Sequence, residues 1–435
     1  MRLGIDVGRA TTVAVVARAD GDVVARATVD SVADLGACLA SVVAALGPLP
    51  AAPRSVTVVT DLARRPFTPN PVAVLRIAPP SHPALAAAPG RGWLTCRVAG
   101  GASVTGTPLA ALDVGAVAAF ARRAAEAGVE AFAICAAGAP ARPGPERAAA
   151  AAIAEVLPRA SLSLSHEIGS AGLRERENAT AANAALGTWA ESLVATAFRA
   201  LTTCGVAAPL YFTRDDGGVV SAEYFRRHPV IGTAPAACSA ARGAALRSGV
   251  RRAVVVDAAA NAVRCVPLID GEPERADPGP GPLGLRMDLG GPRTALLSYE
   301  PGAIDPAAVL AMVERERERL PDADVVWTGG SVPTLNASGA VIDGADPCSD
   351  AAFFAARADC SVEFEQVVVA AGRAELDALL ETARGHALSR VVAAGATPGS
   401  ARVDRIAHTP VSYLPAGVHR VRIRATGLPS GRQEP

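Results

Sequence analysis

The sequence predicts an α/β protein in which mixed sheets, flanked by helices, form two lobes. The chain has 435 residues, well above the length at which one hydrophobic core stops growing, so two or three packed units are expected. Half of the residues are apolar but only 4% are aromatic, so small aliphatic side chains must fill the interior, as in layered α/β packing. Short apolar runs also alternate with longer stretches at helical spacing, a rhythm typical of parallel strands joined by helices.

Composition excludes several classes of function. The 42 basic residues are all arginines, so a P-loop lysine, a Schiff-base lysine and a Ser–Lys dyad are ruled out. The 42 acidic residues balance this charge, and with no arginine-rich run a nucleic-acid partner is not expected. The eight cysteines form no CxxC motif and are expected to be reduced core thiols.

The start of the chain and its hydropathy point to the cytoplasm. Asp6 lies where a signal peptide needs its apolar core, and no apolar stretch is long enough to span a bilayer without a charge. We therefore expect a cytoplasmic protein that makes no membrane contact.

Two strand-turn-strand units are the first functional signal. One covers residues 3–17 and the other residues 254–269, and each has an aspartate, Asp6 or Asp257, at its first turn. Aspartates beside tight turns are suited to holding hydrated Mg²⁺, and glycines there let backbone N–H groups approach phosphate oxygens.

A late strand and a glycine turn complete the pattern. The predicted strand at 324–327 is followed by Gly329, Gly330 and Ser331. In its order of features the chain resembles the actin-like ATPase superfamily, which has a ribonuclease H-like fold. That resemblance implies two facing lobes, each with a hairpin at the triphosphate, and a late glycine turn near the adenosine.

A more specific resemblance lies in residues 161–186. This segment contains Ser-His-Glu-Ile-Gly at 165–169, then Arg-Glu-Asn-Ala at 176–179 and Asn-Ala at 183–184, and it is similar to a block of the hydantoinase/oxoprolinase family. Three further segments resemble that family: residues 211–218, 240–246 and 410–415. The resemblance runs nearly end to end and is closest to the short single-chain branch.

The family resemblance implies a chemistry. It implies ATP-dependent opening or hydrolysis of small cyclic amides such as hydantoins and 5-oxoproline, with ATP and Mg²⁺ as cofactors and a second subunit of the hydantoinase type as partner. Phosphorylating the carbonyl oxygen would activate an otherwise inert amide. Phosphoryl transfer is mostly positioning and charge stabilisation, so it needs an intact triphosphate clamp.

Both hairpins depart from the family pattern. The first family hairpin is Asp-Val-Gly-Gly-Thr-x-Thr-Asp, whereas residues 6–13 read Asp-Val-Gly-Arg-Ala-Thr-Thr-Val. Arg9 thus replaces a glycine, and its guanidinium could bind phosphate or simply fill space. The second is Asp-Ile-Gly-Gly-Thr-Thr-Thr-Asp, whereas residues 257–264 read Asp-Ala-Ala-Ala-Asn-Ala-Val-Arg. Alanine does not adopt positive φ at the low cost of glycine.

These observations define the predicted site. The nucleotide is expected to contact Asp6, Gly8, Arg9, Thr11, Thr12, Asp257, Gly329, Gly330 and Ser331. Asp6 and Asp257 are expected to hold Mg²⁺ through water. His166 and Glu167 are the candidates for catalysis, but a structural histidine at a lobe interface is the favoured interpretation of His166.

Two functions stay open at this point. One is an ATP-dependent hydrolase of cyclic amides, and the other is a non-catalytic relative that keeps the two-lobed shell as a binding or scaffolding subunit. The expected division is an N-terminal lobe at 1–165, a second lobe at 166–345 and a completing C-terminal segment at 346–435. Residues 273–284, rich in Pro and Gly, are expected to be a linker, and residues 175–200 one long helix.

Overall fold

The computed structural model describes residues 1–64, 67–80, 92–169, 171–259, 261–300, 303–329 and 350–431. Two residues of the predicted site, Gly330 and Ser331, lie outside these ranges. The strands are β1 Arg2–Val7, β2 Thr11–Ala17, β3 Val23–Asp30, β4 Val56–Val59, β5 Val72–Ile77, β6 Leu94–Val98, β7 Ala131–Ala136, β8 Ser161–Leu164, β9 Leu210–Thr213, β10 Val219–Ser221, β11 Ala253–Ala259, β12 Ala262–Ile269, β13 Glu272–Pro273, β14 Gly279–Pro280, β15 Arg286–Met287, β16 Ala295–Ser298, β17 Asp324–Thr328, β18 Cys360–Val369, β19 Arg402–Pro410 and β20 Val418–Gly427. The helices are α1 Leu35–Leu46, α2 Val114–Glu126, α3 Gly144–Val156, α4 Ser165–Ile168, α5 Leu173–Ala185, α6 Gly187–Thr203, α7 Ala222–Arg227, α8 Ala236–Ser248, α9 Pro306–Arg319, α10 Asp350–Arg357 and α11 Arg373–Ala393. No helix in the described part of the chain is both long and apolar enough to cross a membrane.

The largest sheet joins the two ends of the chain. Its nine strands have the order β19-β20-β18-β10-β9-β4-β1-β2-β3. Strand β1 is antiparallel to β2 but parallel to β4, and β4 is parallel to β9. This sheet draws strands from all three predicted segments, and the division at residues 165 and 345 stays a prediction.

Two further sheets complete the α/β architecture. The first is a parallel sheet of order β6-β5-β7-β8. The second has the order β13-β12-β11-β17, with β16 also paired to β12. Strand β11 is buried almost throughout, and it carries Asp257 near its end. The predicted mixed sheets flanked by helices are therefore confirmed.

The long helix predicted at 175–200 is wrong, because the structure has two helices there. Helix α5 ends at Ala185 and α6 begins at Gly187. The side chain and the backbone N–H of Asn70 donate to the carbonyls of Ala184 and Ala185, at 3.4 and 2.8 Å. These carbonyls are satisfied by a distant part of the chain instead of by the next helical turn, so the helix can break.

The segment predicted as a linker is a packed element. It contains β13 and β14 and is fixed by two arginines. Arg275 binds Asp288 at 2.6 Å and also pairs with Glu363. Arg293 binds Glu274 at 2.6 Å and pairs with Glu316. The linker prediction was wrong because it rested on Pro and Gly content alone, whereas distant charges order the segment.

Helix α10 lies between the nine-stranded sheet and the sheet that contains β11. It packs on β1 where that strand has Gly4, and it crosses α8 where that helix has Gly243. A Cβ atom at Gly4 would lie 2.0 Å from the Ala352 carbonyl oxygen, and one at Gly243 would lie 2.0 Å from that of Asp350. Only glycine allows these two close approaches.

The crossing is also fixed by a buried carboxylate. Asp350, which is 1% exposed, accepts two hydrogen bonds from the Arg247 guanidinium at 2.8 and 2.9 Å. The Thr328 hydroxyl donates a third at 2.8 Å. Helix α10 is thus held to α8 and to β17 of the second lobe while it packs on β1 of the first.

This packing predicts that Gly243→Ala destabilises the protein by about 1–3 kcal/mol, because the added methyl group meets a backbone oxygen that cannot move away easily. The matched control is Gly385→Ala in α11, where a Cβ atom would meet nothing within 4 Å. That change should stabilise by about 0.5–1 kcal/mol through helix propensity. Urea and thermal unfolding measure both effects, and equal stability of the two variants would contradict the proposed crossing.

Candidate functional site

A cavity of about 900 Å³, here called the interlobe cavity, lies beside the second hairpin. Its wall contains the turn at 61–63 after β4, Asp215 after β9, the segment 233–237 and Arg264 of β12. Much of residues 276–296 closes another side. The wall is mainly apolar with a few converging polar groups, as is usual for small-molecule sites.

The two predicted hairpins are geometrically equivalent. In the first, Asp6 of β1 is paired with Val13 of β2, and in the second Asp257 of β11 is paired with Arg264 of β12. Each aspartate therefore faces the residue seven positions later. The first turn is closed by a 3.0 Å hydrogen bond from the Gly8 N–H to the Thr11 carbonyl.

The second turn is tight although it has lost its glycines. The strands stay paired as far as Ala259 and Ala262, which leaves only two residues for the turn. Neither Ala258 nor Ala259 has a positive φ, as expected for alanine. The hairpin shape is kept, but these residues do not form the left-handed backbone of an anion-binding nest.

Asp61 lies between the two hairpins and was missed by the sequence reasoning. It accepts a 3.0 Å hydrogen bond from the Ala236 N–H at the start of α8. Burial raises the pKa of this carboxyl, while the Ala236 hydrogen bond and the guanidinium groups of Arg264 and Arg9 act in the opposite direction. Arg9 also donates to the Ala63 carbonyl at 3.0 Å. Arginines from both hairpins thus converge on the turn at 61–63.

A sequence signal for Asp61 did exist. Asp61 follows the short run 56–59, which forms β4, with only Thr60 between them, and β4 is the parallel neighbour of β1. Side chains that follow adjacent parallel strands meet at one edge of a sheet. The signal could be used only with the strand order, which the sequence did not provide.

Asp215 lines the cavity, although in the sequence it stood out only as part of the segment 211–218. Its carboxyl accepts from the Ala234 N–H at 2.7 Å and from the Thr233 hydroxyl at 3.2 Å. Burial raises the pKa of Asp215 to about 7, and the nearby charge of Asp61 adds to this effect. Asp215 can therefore hold or release a proton near neutral pH.

The second predicted metal ligand is engaged by a cation. Asp257 is 9% exposed, and its Oδ2 lies 3.4 Å from Nη1 of Arg264. Burial raises the pKa of Asp257 to about 6 against the lowering effect of that guanidinium. Asp6 is half-buried, and its cross-strand neighbour Val13 offers no second carboxylate.

Asp6 and Asp257 were predicted to hold Mg²⁺ through water. Within the described ranges, no group of three or more His, Cys, Asp or Glu side chains is placed to hold a metal ion. Mg²⁺ needs near-octahedral oxygen ligands and usually one or two free carboxylates. Where a partner carboxylate would be expected, Arg264 stands against Asp257.

Gly329, Thr12 and Thr11 were also predicted to contact the nucleotide, and each has its own environment. Gly329 has φ +95°, and a Cβ atom there would lie 2.4 Å from the Ala258 carbonyl, so this glycine packs directly on the second hairpin. Thr12 is fully buried, and its hydroxyl lies 2.8 Å from that of Ser31. Thr11 contributes its carbonyl to the first turn and is half-buried.

His166 belongs to a buried network centred on Glu146, a residue that the sequence reasoning did not single out. Nδ1 of His166 lies 2.6 Å from the Glu146 carboxylate, which is fully buried. That carboxylate also accepts from the Ala136 N–H at 2.7 Å and from the Ser165 hydroxyl. These contacts fit a structural histidine.

Glu167 has a different environment. It lines a separate polar cavity of about 470 Å³ together with Arg227 and His228. Neither His166 nor Glu167 belongs to the interlobe cavity wall as far as the structure describes it.

The raised pKa of Asp215 predicts a pH effect on stability. In the unfolded chain the Asp215 carboxyl loses its proton near its ordinary pKa of 3.8, whereas in the folded chain it keeps the proton to about pH 7. The free energy of unfolding therefore falls as pH rises between these two values, by at most about 1.4 kcal/mol per pH unit. Asp215→Asn removes this contribution, so the variant should gain stability relative to wild type as pH rises from about 4 to 7, with no further gain above that range. The control is Asp270→Asn, whose side chain is 83% exposed. Parallel stability profiles of wild type and Asp215→Asn would contradict the assignment.

Comparison with known proteins agrees with this architecture. No family model and no curated protein sequence matches the chain, but solved structures do. The nucleotide-free structure of acetone carboxylase, from work on ATP-dependent acetone carboxylation, aligns over 100% of this chain and 89% of its own, with a TM-score of 0.68 and 13% identity. The ATP-dependent caprolactamase from Pseudomonas jessenii aligns over 100% of this chain and 88% of its own, with a TM-score of 0.74 and 14% identity. The resemblance seen in the sequence is thus confirmed at the level of the fold: the chain has the two-lobed actin-like ATPase architecture that it shares with these two enzymes.

Proposed function

We propose that this chain is a cytoplasmic member of the hydantoinase/oxoprolinase family that binds ATP in the interlobe cavity and acts on a cyclic amide of the hydantoin or 5-oxoproline type. The observation that carries the proposal is that an arginine from each of the two equivalent hairpins, Arg9 and Arg264, approaches the turn 61–63. This turn and Arg264 line a cavity of about 900 Å³. Both structural neighbours are described as ATP-dependent, and one is a caprolactamase.

The proposed reaction has three steps. The amide carbonyl oxygen attacks the γ-phosphorus of ATP, so that a new O–P bond forms, the bond to the β-phosphate oxygen breaks and ADP leaves. Water then adds to the activated carbonyl carbon, and the C–N bond breaks with protonation of the nitrogen, which leaves an acyl phosphate. A second water hydrolyses the acyl phosphate to a carboxylate and inorganic phosphate. Arg264 faces the cavity and can stabilise the developing phosphoryl charge. Asp215 can supply or accept a proton near neutral pH.

A second candidate is a non-catalytic subunit that binds nucleotide without turning it over. The observation that favours it is the contact between Arg264 and Asp257, which replaces a carboxylate pair by an ion pair. In this case the catalytic step would belong to a second subunit of the hydantoinase type. That partner is part of both candidates.

The proposal predicts that ATP stabilises the purified chain, by about 2.7 kcal/mol at a hundredfold excess over Kd, because ligand binds only the folded state. Thermal unfolding with ATP, with GTP as the matched control, measures this. A melting temperature that does not change up to millimolar ATP would contradict both candidates.

A second assay separates the hydrolase from the non-catalytic subunit. Phosphate release is measured with hydantoin, 5-oxoproline or caprolactam, for the chain alone and with the co-expressed partner. Stabilisation by ATP without turnover in either assay supports the non-catalytic subunit.

A further inference from the structure

We propose that a second cavity, of about 270 Å³ and here called the arginine cavity, binds a small tetrahedral oxyanion of the phosphate type. Its described wall comes from the turn after β9, helix α8, strand β13, the end of α10 and the strands β18, β19 and β20. None of these wall residues lines the interlobe cavity as the structure describes it. The proposal therefore does not depend on the ATP site.

The arginine cavity carries an excess of positive charge. Four guanidinium groups line its described wall, those of Arg242, Arg357, Arg402 and Arg424. Three carboxylates face them, those of Glu272, Asp359 and Asp404. Four positive charges against three negative ones leave a net positive wall, which favours an anion over a cation.

Two of the guanidinium groups share one carboxylate. Nη2 of Arg242 lies 2.7 Å from Oε1 of Glu272, and Arg424 pairs with Oε2 of the same residue. Nε of Arg424 has no hydrogen-bond partner among the described residues. Because each guanidinium has five N–H donors, this pair of arginines has donors left for the oxygens of a ligand.

Arg357 has the fewest competing contacts of the four. It is the last residue of α10 and is partly exposed, and it forms no ion pair with a carboxylate of the described ranges. Its guanidinium lies 5.8 Å from the centre of the Phe353 ring, near the outer limit of a cation–π contact. Arg402, in contrast, is shared between Asp359 and Asp404 at 3.3 Å each. An oxyanion at Arg357 would therefore break no ion pair.

A buried hydroxyl in the same wall also lacks a partner. Ser361 is 1% exposed, and its Oγ has no hydrogen-bond partner among the described residues. Gly218 of the neighbouring turn leaves room for this oxygen, since a Cβ atom there would collide with it. A buried polar group without a partner destabilises the fold. An oxyanion that accepts a hydrogen bond from Ser361 would remove this cost.

The strand register and the helices direct these donors at one place from different sides. Ser361 of β18 is opposite Thr426 of β20, and Thr426 is opposite Arg402 of β19, so the three side chains share one face of the sheet. Arg242 and Arg357 approach from helices α8 and α10. Donors from several directions suit tetrahedral oxygens better than a planar carboxylate. The volume also lies below the roughly 300–1,000 Å³ of sites for drug-sized ligands, so a small ion fits best.

The test is thermal unfolding and isothermal titration of the full chain with inorganic phosphate, with potassium chloride of equal ionic strength as the control. We expect the melting temperature to rise with phosphate and to saturate, because the anion binds only the folded state. Sulfate should compete with phosphate, and acetate should not. A melting temperature that responds only to ionic strength would overturn the proposal, and competition by acetate but not by sulfate would overturn the tetrahedral assignment.

Two variants locate the bound anion. Arg357→Gln should weaken phosphate binding about 10-fold, because it removes a charge-assisted hydrogen bond. Ser361→Ala should weaken binding about 3- to 10-fold and should raise the melting temperature of the phosphate-free protein, because the hydroxyl has no partner to lose. The matched control is Arg251→Gln, whose side chain is 76% exposed on the surface, and it should bind phosphate like the wild type.

Two further variants complete the test. Arg357→Lys keeps the positive charge but loses the planar fork, so it should fold and bind phosphate with intermediate affinity if Arg357→Gln does not fold. Arg264→Gln changes the interlobe cavity alone and should leave phosphate binding unchanged. Phosphate affinity that falls in Arg264→Gln but not in the Arg357 and Ser361 variants would place the anion in the interlobe cavity and overturn the proposal.

Discussion

The structure depends on one close crossing of helices α8 and α10. Because a Cβ atom at Gly243 or at Gly4 would meet a backbone oxygen at 2.0 Å, only glycine lets α10 fit between β1 and α8. The hydrogen bonds of Asp350 to Arg247 and Thr328 then hold this arrangement. The two hairpins extend from strands on either side of this helix, so the crossing sets their distance and their orientation. Interiors packed this closely do not deform continuously, and the facing hairpins are therefore a fixed feature of the fold.

Compared with the family pattern, the hairpins keep their strand pairing but carry side chains of different charge. The register places residue 264 opposite Asp257, just as it places residue 13 opposite Asp6. An arginine and a valine stand at these two positions. The backbone keeps the geometry of a pair of hairpins, whereas the side chains no longer offer a pair of carboxylates. Asp61 then becomes the group on which both arginine-bearing hairpins converge.

Local patterns were enough to predict the hairpins and the position of Asp257 near the end of a strand, because each depends on residues adjacent in sequence. The roles of Asp61 and Asp215 could not be predicted in this way. They depend on the order β9-β4-β1 in the large sheet, which brings the ends of three distant strands together. The break after α5 likewise depends on Asn70, more than a hundred residues away. Glu146 lies in α3, and its role with His166 needs the packing of α3 against β8.

The central claim is that the two hairpins jointly hold a triphosphate. A crystal structure of the chain with a non-hydrolysable ATP analogue tests it most directly. The account predicts phosphate density between the two hairpins, within hydrogen-bonding distance of the Arg264 guanidinium. Nucleotide bound at another surface, or a crystal structure in which the Asp6 and Asp257 hairpins share no cavity, would contradict it.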